Sequence, residues 1–265
     1  MTLRLVLPDV HFPFQDDHLV EAWLRYLRLV TPDGIDIIGD LFDCYTLSRF
    51  DKNPLRKGNI QDEVDMVRAF LEEVRESSPV GCDIKYSEGN HENRLKQVLW
   101  GRAKELAPIR GLNIPGLLDL KDLDIKYYSP RTPYRIGGPQ GLWYLHGDLA
   151  RKCNWSMTAG GMGAKAVMQR VRGNVLIGHT HQMGYVSFRG WNDLSEGYEV
   201  GCLCQFDLEY IVGVPQWQQG WAVVKYPKKG GFEVDFIRVL DRGKKRLVIA
   251  DGDVFATLPP AKRHV

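Results

Sequence analysis

Gly39-Asp40-Leu41-Phe42-Asp43, entered from the apolar run Ile35 to Ile38, decides how the rest of the chain is read. A short hydrophobic stretch reads as a buried strand. The glycine allows close backbone approach where the chain leaves it, and two carboxylates follow three residues apart. Taken alone, this also describes a helix N-cap with a second carboxylate near the helix dipole. Recurrence removes the ambiguity. Leu3 to Leu7 ends at Pro8-Asp9-Val10-His11, and Ile84 to Ser87 runs into Gly89-Asn90-His91-Glu92. Leu142 to Leu145 precedes His146-Gly147-Asp148, and Val175 to Ile177 precedes Gly178-His179-Thr180-His181. Five apolar runs thus deliver acidic, amide or imidazole groups at the end from which the chain leaves a strand, the edge where α/β sheets build sites. Five of the seven histidines belong to this set; His18 lies in a charged helix start and His264 near the end of the chain.

Between these runs the pattern changes period. Leu19, Val20, Trp23, Leu24 and Leu27 recur at helical spacing, as do Val64, Val67, Phe70, Leu71 and Val74 within Gln61 to Ser77, so the first half alternates strands with helices. After about Lys121 the apolar runs shorten and turn residues bound them. Ile125 to Tyr128, Val200 to Cys204, Trp221 to Tyr226 and Phe232 to Val239 read as strands, the last two joined by the hairpin signal Lys228-Lys229-Gly230-Gly231. One α/β domain is expected over residues 1–242, followed by a polar, basic, loosely held tail over 243–265.

A chain of 265 residues with 44% hydrophobic content can bury a sizeable core. Its 35 Lys and Arg against 33 Asp and Glu give a net charge of +2, no long-range field that demands a polyanion. Five scattered cysteines are an odd number in a chain too large to need disulfide staples, which points to a reducing compartment. Cys202 and Cys204 read as two small side chains buried on one strand face. No basic leader precedes a long apolar stretch and no segment approaches bilayer-spanning length, so a cytoplasmic protein without a membrane partner is expected.

The residue types point to a chemistry. Asp9 and His11, two apart on an extended segment, can face one cation; Asn90 offers a neutral amide oxygen, and His91 beside it can transfer protons. Carboxylates, imidazoles and an amide suffice for two cations, and the lack of thiolates points to Mn²⁺, with Fe, Zn²⁺ or Ni²⁺ as alternatives. Two such ions about 3.5–4 Å apart can activate a water while neutralising charge on a phosphoryl group.

Asp9-x-His11, Gly39-Asp40-x-x-Asp43, Gly89-Asn90-His91-Glu92, His146 and Gly178-His179-x-His181 together resemble, in order and spacing, the five blocks of the calcineurin-like metallophosphoesterases. The resemblance implies an α/β four-layer sandwich, two mixed β-sheets face to face with α-helices outside. It implies one metal held by Asp9, His11 and His181, another by Asn90, His146 and His179, and Asp40 bridging them. His91 would be the general acid, oriented and tuned by Asp43. Tyr198 to Cys204 is similar to a Gly-Cys-Leu-Cys strand in stand-alone phosphoesterases of bacteriophages, which favours nucleotide or nucleic-acid substrates. One departure matters: where family protein phosphatases carry Arg-Gly after the second Asp, this chain has Cys44-Tyr45. Phosphate contacts are then expected from Arg49, Arg94 or Arg151, each of which a solvated basic face would also explain.

The implied activity is phosphoester hydrolysis, with nucleotide-type phosphodiesters, cyclic or small, as the first expectation. A DNA or RNA nuclease and a broad phosphomonoesterase are the alternatives. A binding scaffold that has lost catalysis fits least, because every ligand position and His91 are present.

Overall fold

Leu5 and Leu7 face one way along the first strand and Val6 the other, and this alternation sets the layers. In the computed structural model, which describes residues 1–149, 159–191, 194–208 and 215–261, strand β1 (Thr2–Leu7) lies parallel to β2 (Gly34–Ile37), β2 to β3 (Asp83–Ser87) and β3 to β4 (Ile125–Tyr128). A second sheet holds β5 (Tyr134–Ile136), β6 (Leu142–Leu145), β7 (Val175–Ile177), β8 (Met183–Arg189) and β9 (Leu194–Val200) in the order β5-β6-β7-β9-β8. The chain then returns to the far side of β1 with β10 (Gly220–Tyr226), β11 (Glu233–Asp241), β12 (Arg246–Ala250) and β13 (Asp253–Leu258), all antiparallel, completing an eight-stranded sheet.

Helices cover the outer faces. The buried stripes of α1 (Asp17–Val30) and α2 (Ile60–Ser77), with Leu95 and Leu99 of α3 (Asn93–Arg102), share one core with Leu5, Leu7, Ile35, Ile37 and Ile84. Val6, Ile38, Tyr144, Leu176, Val200, Ala222 and Val224 form the layer between the sheets. After the short α4 (Ile114–Leu117), α5 (Met162–Val171) packs Ala164, Val167 and Met168 on the outside of the second sheet. Two mixed sheets with helices outside are the architecture the resemblance implied. A buried polar clamp fixes their relative position: Arg4 donates to Asp36 (Nε to Oδ2, 2.7 Å), and Asp36 accepts from the Tyr134 hydroxyl of the opposite sheet at 2.7 Å. Among the described residues no helix is long and apolar enough to cross a membrane.

Two expectations need correction. Val200 to Cys204 is not one strand: β9 ends at Val200, Gly201 turns with φ 80°, and Cys202 and Cys204 each make an isolated bridge, to Gln219 and Gln15. The stretch expected as a loosely held tail over 243–265 instead supplies β12 and β13. Arg246, within that stretch, is 2% exposed. Its guanidinium donates to Asp16 at 2.5 Å and to Gln219 Oε1 at 2.6 Å, and its Nε to the Pro259 carbonyl at 2.7 Å. Asp16 is the N-cap of α1, so a buried ion pair locks the C-terminal strands to the first helix.

Candidate metal centre and cleft

Strands β1, β2, β3, β6 and β7 end on one edge, and there the chain turns sharply. Asp9, His11, Asp40, His179 and His181 all have positive φ, between 28° and 66°. Non-glycine residues adopt this region at a cost of about 1–3 kcal/mol each, and such strain concentrates where side chains must be aimed. The adjoining glycines make room for the result. A Cβ on Gly178 would overlap the Asp9 carboxylate, and one on Gly89 would overlap that of Asp40.

The aimed side chains converge. His11 Nε2 lies 3.1 Å from His181 Nε2, 3.7 Å from Asp40 Oδ2 and 3.9 Å from Asp9 Oδ1, while His181 Nε2 is 3.3 Å from Asp9 Oδ1. On the other side of Asp40, His146 Nε2 lies 3.1 Å from Asp40 Oδ2, 3.2 Å from Asn90 Oδ1 and 3.0 Å from His179 Nδ1. Two donor groups, Asp9-His11-His181 and Asp40-His146-His179, therefore sit side by side with Asp40 Oδ2 between them. Backbone amides hold both carboxylates from behind: His179 N–H donates to Asp9 and His91 N–H to Asp40 Oδ1.

Tautomers decide what such a cluster can bind. His11 Nδ1 faces Asp43 Oδ2 at 2.9 Å and His146 Nδ1 faces the Ile38 carbonyl at 3.0 Å. Each acceptor calls for the proton on Nδ1, which leaves a lone pair on Nε2 in the neutral ring. Both Nε2 lone pairs then point among carboxylate, amide and imidazole acceptors. A set of converging acceptors with its protons turned outward has the chemistry of a cation site, and these residues could hold divalent metal. The same attraction for positive charge acts on His146: burial lowers its pKa, and Asp40 overcomes this and pushes it up to about 10. Burial alone would raise the Asp40 carboxyl; His146 and then His91 hold it well below the usual carboxylate range.

His91 stands beside the cluster. Its Nδ1 faces Asp43 Oδ2 at 3.0 Å and its Nε2 lies 3.8 Å from Asp40 Oδ2. Burial pulls the imidazole down, but Asp40 and Asp43 leave it above its ordinary value. Asp43, fully buried, serves two rings at once, since His11 Nδ1 meets the same oxygen.

The basic candidates fare differently. Arg49 lines the cleft of ≈ 1020 Å³ that opens over His11, Asp40, Asn90, His91, His179 and His181. Arg94 lines it too, but its guanidinium is engaged: NH1 donates to Asp43 Oδ1 at 3.0 Å and NH2 lies 3.1 Å from His91 Nε2. The phosphate contact expected of Arg94 would have to come from a guanidinium already paired with Asp43. Arg151 lies outside the described residues.

Sequence reasoning missed several supports. Glu92, completely buried, accepts from the Asp40, Phe42 and Gly89 amides and from the Tyr86 hydroxyl, so it fastens the Asp40 loop to the His91 loop. Burial and then Asp40 push its pKa up to about 7. Its place directly after His91 was the available signal. Glu63 on α2 similarly accepts from Tyr45 and Thr46 N–H and holds the chain after Asp43. Cys202 and Cys204 are buried as expected, but Cys204 Sγ also lies 3.8 Å from His181 Nδ1, and Trp217 packs edge-on to the same ring.

Stacked mixed sheets with flanking helices are the fold implied by the resemblance to calcineurin-like metallophosphoesterases, and an Asp, Asn and His cluster lies at the carboxyl ends of its parallel strands. No family model matches it. The chain is 28% identical over 232 residues to the Gene 54 protein of Mycobacterium phage L5, covering 83% of this chain and 87% of that protein. It is 26% identical, with the same coverage, to the Gene 54 protein of Mycobacterium phage D29. Among solved structures it is similar to YfcE, a phosphoesterase from E. coli, at 15% identity and TM-score 0.44 over 97% of this chain and 99% of that one. Vps29 of Entamoeba histolytica, complexed with zinc, overlaps at 11% identity and TM-score 0.46 over 97% of each chain. Nuclease MPE of Pseudomonas putida overlaps at 14% identity and TM-score 0.38 over 83% of each.

Proposed function

We propose that the chain is a two-metal phosphoester hydrolase that acts on nucleotide-type phosphodiesters. The observation that carries this reading is the inward convergence of the His11 and His146 Nε2 lone pairs on Asp40 Oδ2, at 3.7 and 3.1 Å. Asp9, His11 and His181 would hold one divalent cation and Asn90, His146 and His179 the other, with Asp40 shared. When bound, the pair supplies Lewis-acid activation of water and neutralises charge on the phosphoryl oxygens. The rest falls to the protein. Asp43 orients both His11 and His91 through their Nδ1 protons, and His91 is the general acid for the leaving oxygen. Arg94, bridging Asp43 and the His91 ring, restrains both rather than gripping phosphate.

Diesters are favoured over monoesters by charge and room. A diester brings one negative charge and a second ester arm. Directly after Asp43 in sequence stands buried Cys44 rather than a cationic clamp, and the cleft of ≈ 1020 Å³ leaves room for a second arm. Mn²⁺ is the first ion to test, because the two clusters present oxygen and imidazole donors. Purified protein with Mn²⁺ is expected to hydrolyse bis(p-nitrophenyl) phosphate, and chelation to remove that activity; full activity after exhaustive chelation overturns the reading.

A further inference from the structure

We infer that the rim of the active-site cleft is a track for single-stranded nucleic acid, so that the diester presented to the metal cluster belongs to a polynucleotide strand. The inference rests on the hydrolase reading for what happens at the centre, but its own support is a separate surface.

The small net charge conceals a segregation. Arg49, Arg94 and Arg102 line the cleft, and residues 48–58 and 93–110, from which they come, carry nine Lys and Arg against two acidic residues, Asp51 and Glu105. The rest of the chain therefore holds 26 basic and 31 acidic residues, and is net acidic. Positive charge in these two segments lies beside the proposed metal cluster. Aromatic rings are interleaved with it. Phe50, 60% exposed, lies under the Arg49 guanidinium at 5.2 Å, and Trp100, 59% exposed, lies under the Lys96 ammonium at 4.5 Å.

Helical geometry connects these features to the site. On α3, Arg94, Gln97, Val98 and Gly101 recur at spacings of three and four, and all line the cleft; Lys96 and Trp100 occupy the neighbouring stripe, further out on the same helix. A ligand leaving the cleft across Gln97 meets Trp100 next. Exposed rings flanked by cations stack bases of any identity while the cations follow the phosphates, and this pairing distinguishes single-strand binding from simple anion attraction. A duplex hides its base faces and could use only the charge.

Binding is measured on the full chain with a short fluorescein-labelled single strand, by anisotropy, with chelator present so that no strand is cut. The expected result is salt-dependent binding, with a log–log slope of about 0.7 per phosphate contacted. Trp100→Ala and Phe50→Ala are expected to weaken it about tenfold or more each, and Arg102→Glu to lower the salt slope. Phe188→Ala, on an exposed strand of the other sheet, should bind as the parent does, and circular dichroism checks that each variant folds. No binding at low salt, unaltered binding by both ring variants, or equal binding to a matched duplex or to anionic phosphatidylglycerol vesicles overturns the inference. The two readings fail separately. Strand binding without esterase activity in Mn²⁺ sinks the hydrolase and leaves the track, whereas small-diester hydrolysis without strand binding does the reverse.

Discussion

His91→Ala is expected to lower kcat for a nucleotide diester by about 100- to 10,000-fold, the range that loss of a general acid produces. The loss should depend on the leaving group. An alkoxide departs poorly without a proton, whereas p-nitrophenolate departs readily, so bis(p-nitrophenyl) phosphate should suffer much less from the same substitution. His91 is held for this role by Asp43 at 3.0 Å and sits 3.8 Å from Asp40, inside the field of both carboxylates. Metal content should fall little, because the cation ligands proposed here do not include His91. Equal losses for both substrates, accompanied by loss of metal, would make His91 a structural or ligating residue instead.

Arg246→Ala is expected to destabilise the fold by about 3–5 kcal/mol, the usual cost of removing one partner from a buried ion pair. In a protein of this size that lowers the unfolding midpoint by roughly 6–20 °C. Asp16 would be left buried without its cation, Gln219 would lose its Oε1 partner, and the Pro259 carbonyl would lose its donor. Replacing both members with apolar residues, Arg246→Met with Asp16→Leu, should recover part of the loss, although the α1 N-cap would be gone. A change within about 0.5 kcal/mol for Arg246→Ala, as at an exposed position, would contradict the packing described.

These two residues also mark what was legible in the sequence. His91 could be singled out because this cluster is written as local units: a strand, then a polar side chain where the chain leaves the sheet edge. Each unit obeys a period of two or a turn rule that needs no distant partner, so Asp9, Asp40, Asn90, His146 and His179 stood out from their surroundings. Arg246 could not. Its partner lies 230 positions away, and a burial that depends on such a partner leaves no period or spacing behind. The Lys and Gly residues around β12 and β13 therefore read as solvated. Arg94 is a similar case: a cation three residues after His91 suggests a phosphate contact, and only the fold shows it donating to Asp43. Glu92 was in plain view, but two of its four donors come from the distant Asp40–Phe42 loop.

The central claim is that two neighbouring groups of side chains, separated only by Asp40, each hold a cation. A crystal soaked in Mn²⁺ and measured near the manganese absorption edge tests it directly. Two anomalous peaks are expected, one among Asp9, His11 and His181 and one among Asn90, His146 and His179, both in contact with Asp40. No peak at this edge of the sheets, or a lone peak out of reach of Asp40, would contradict the account.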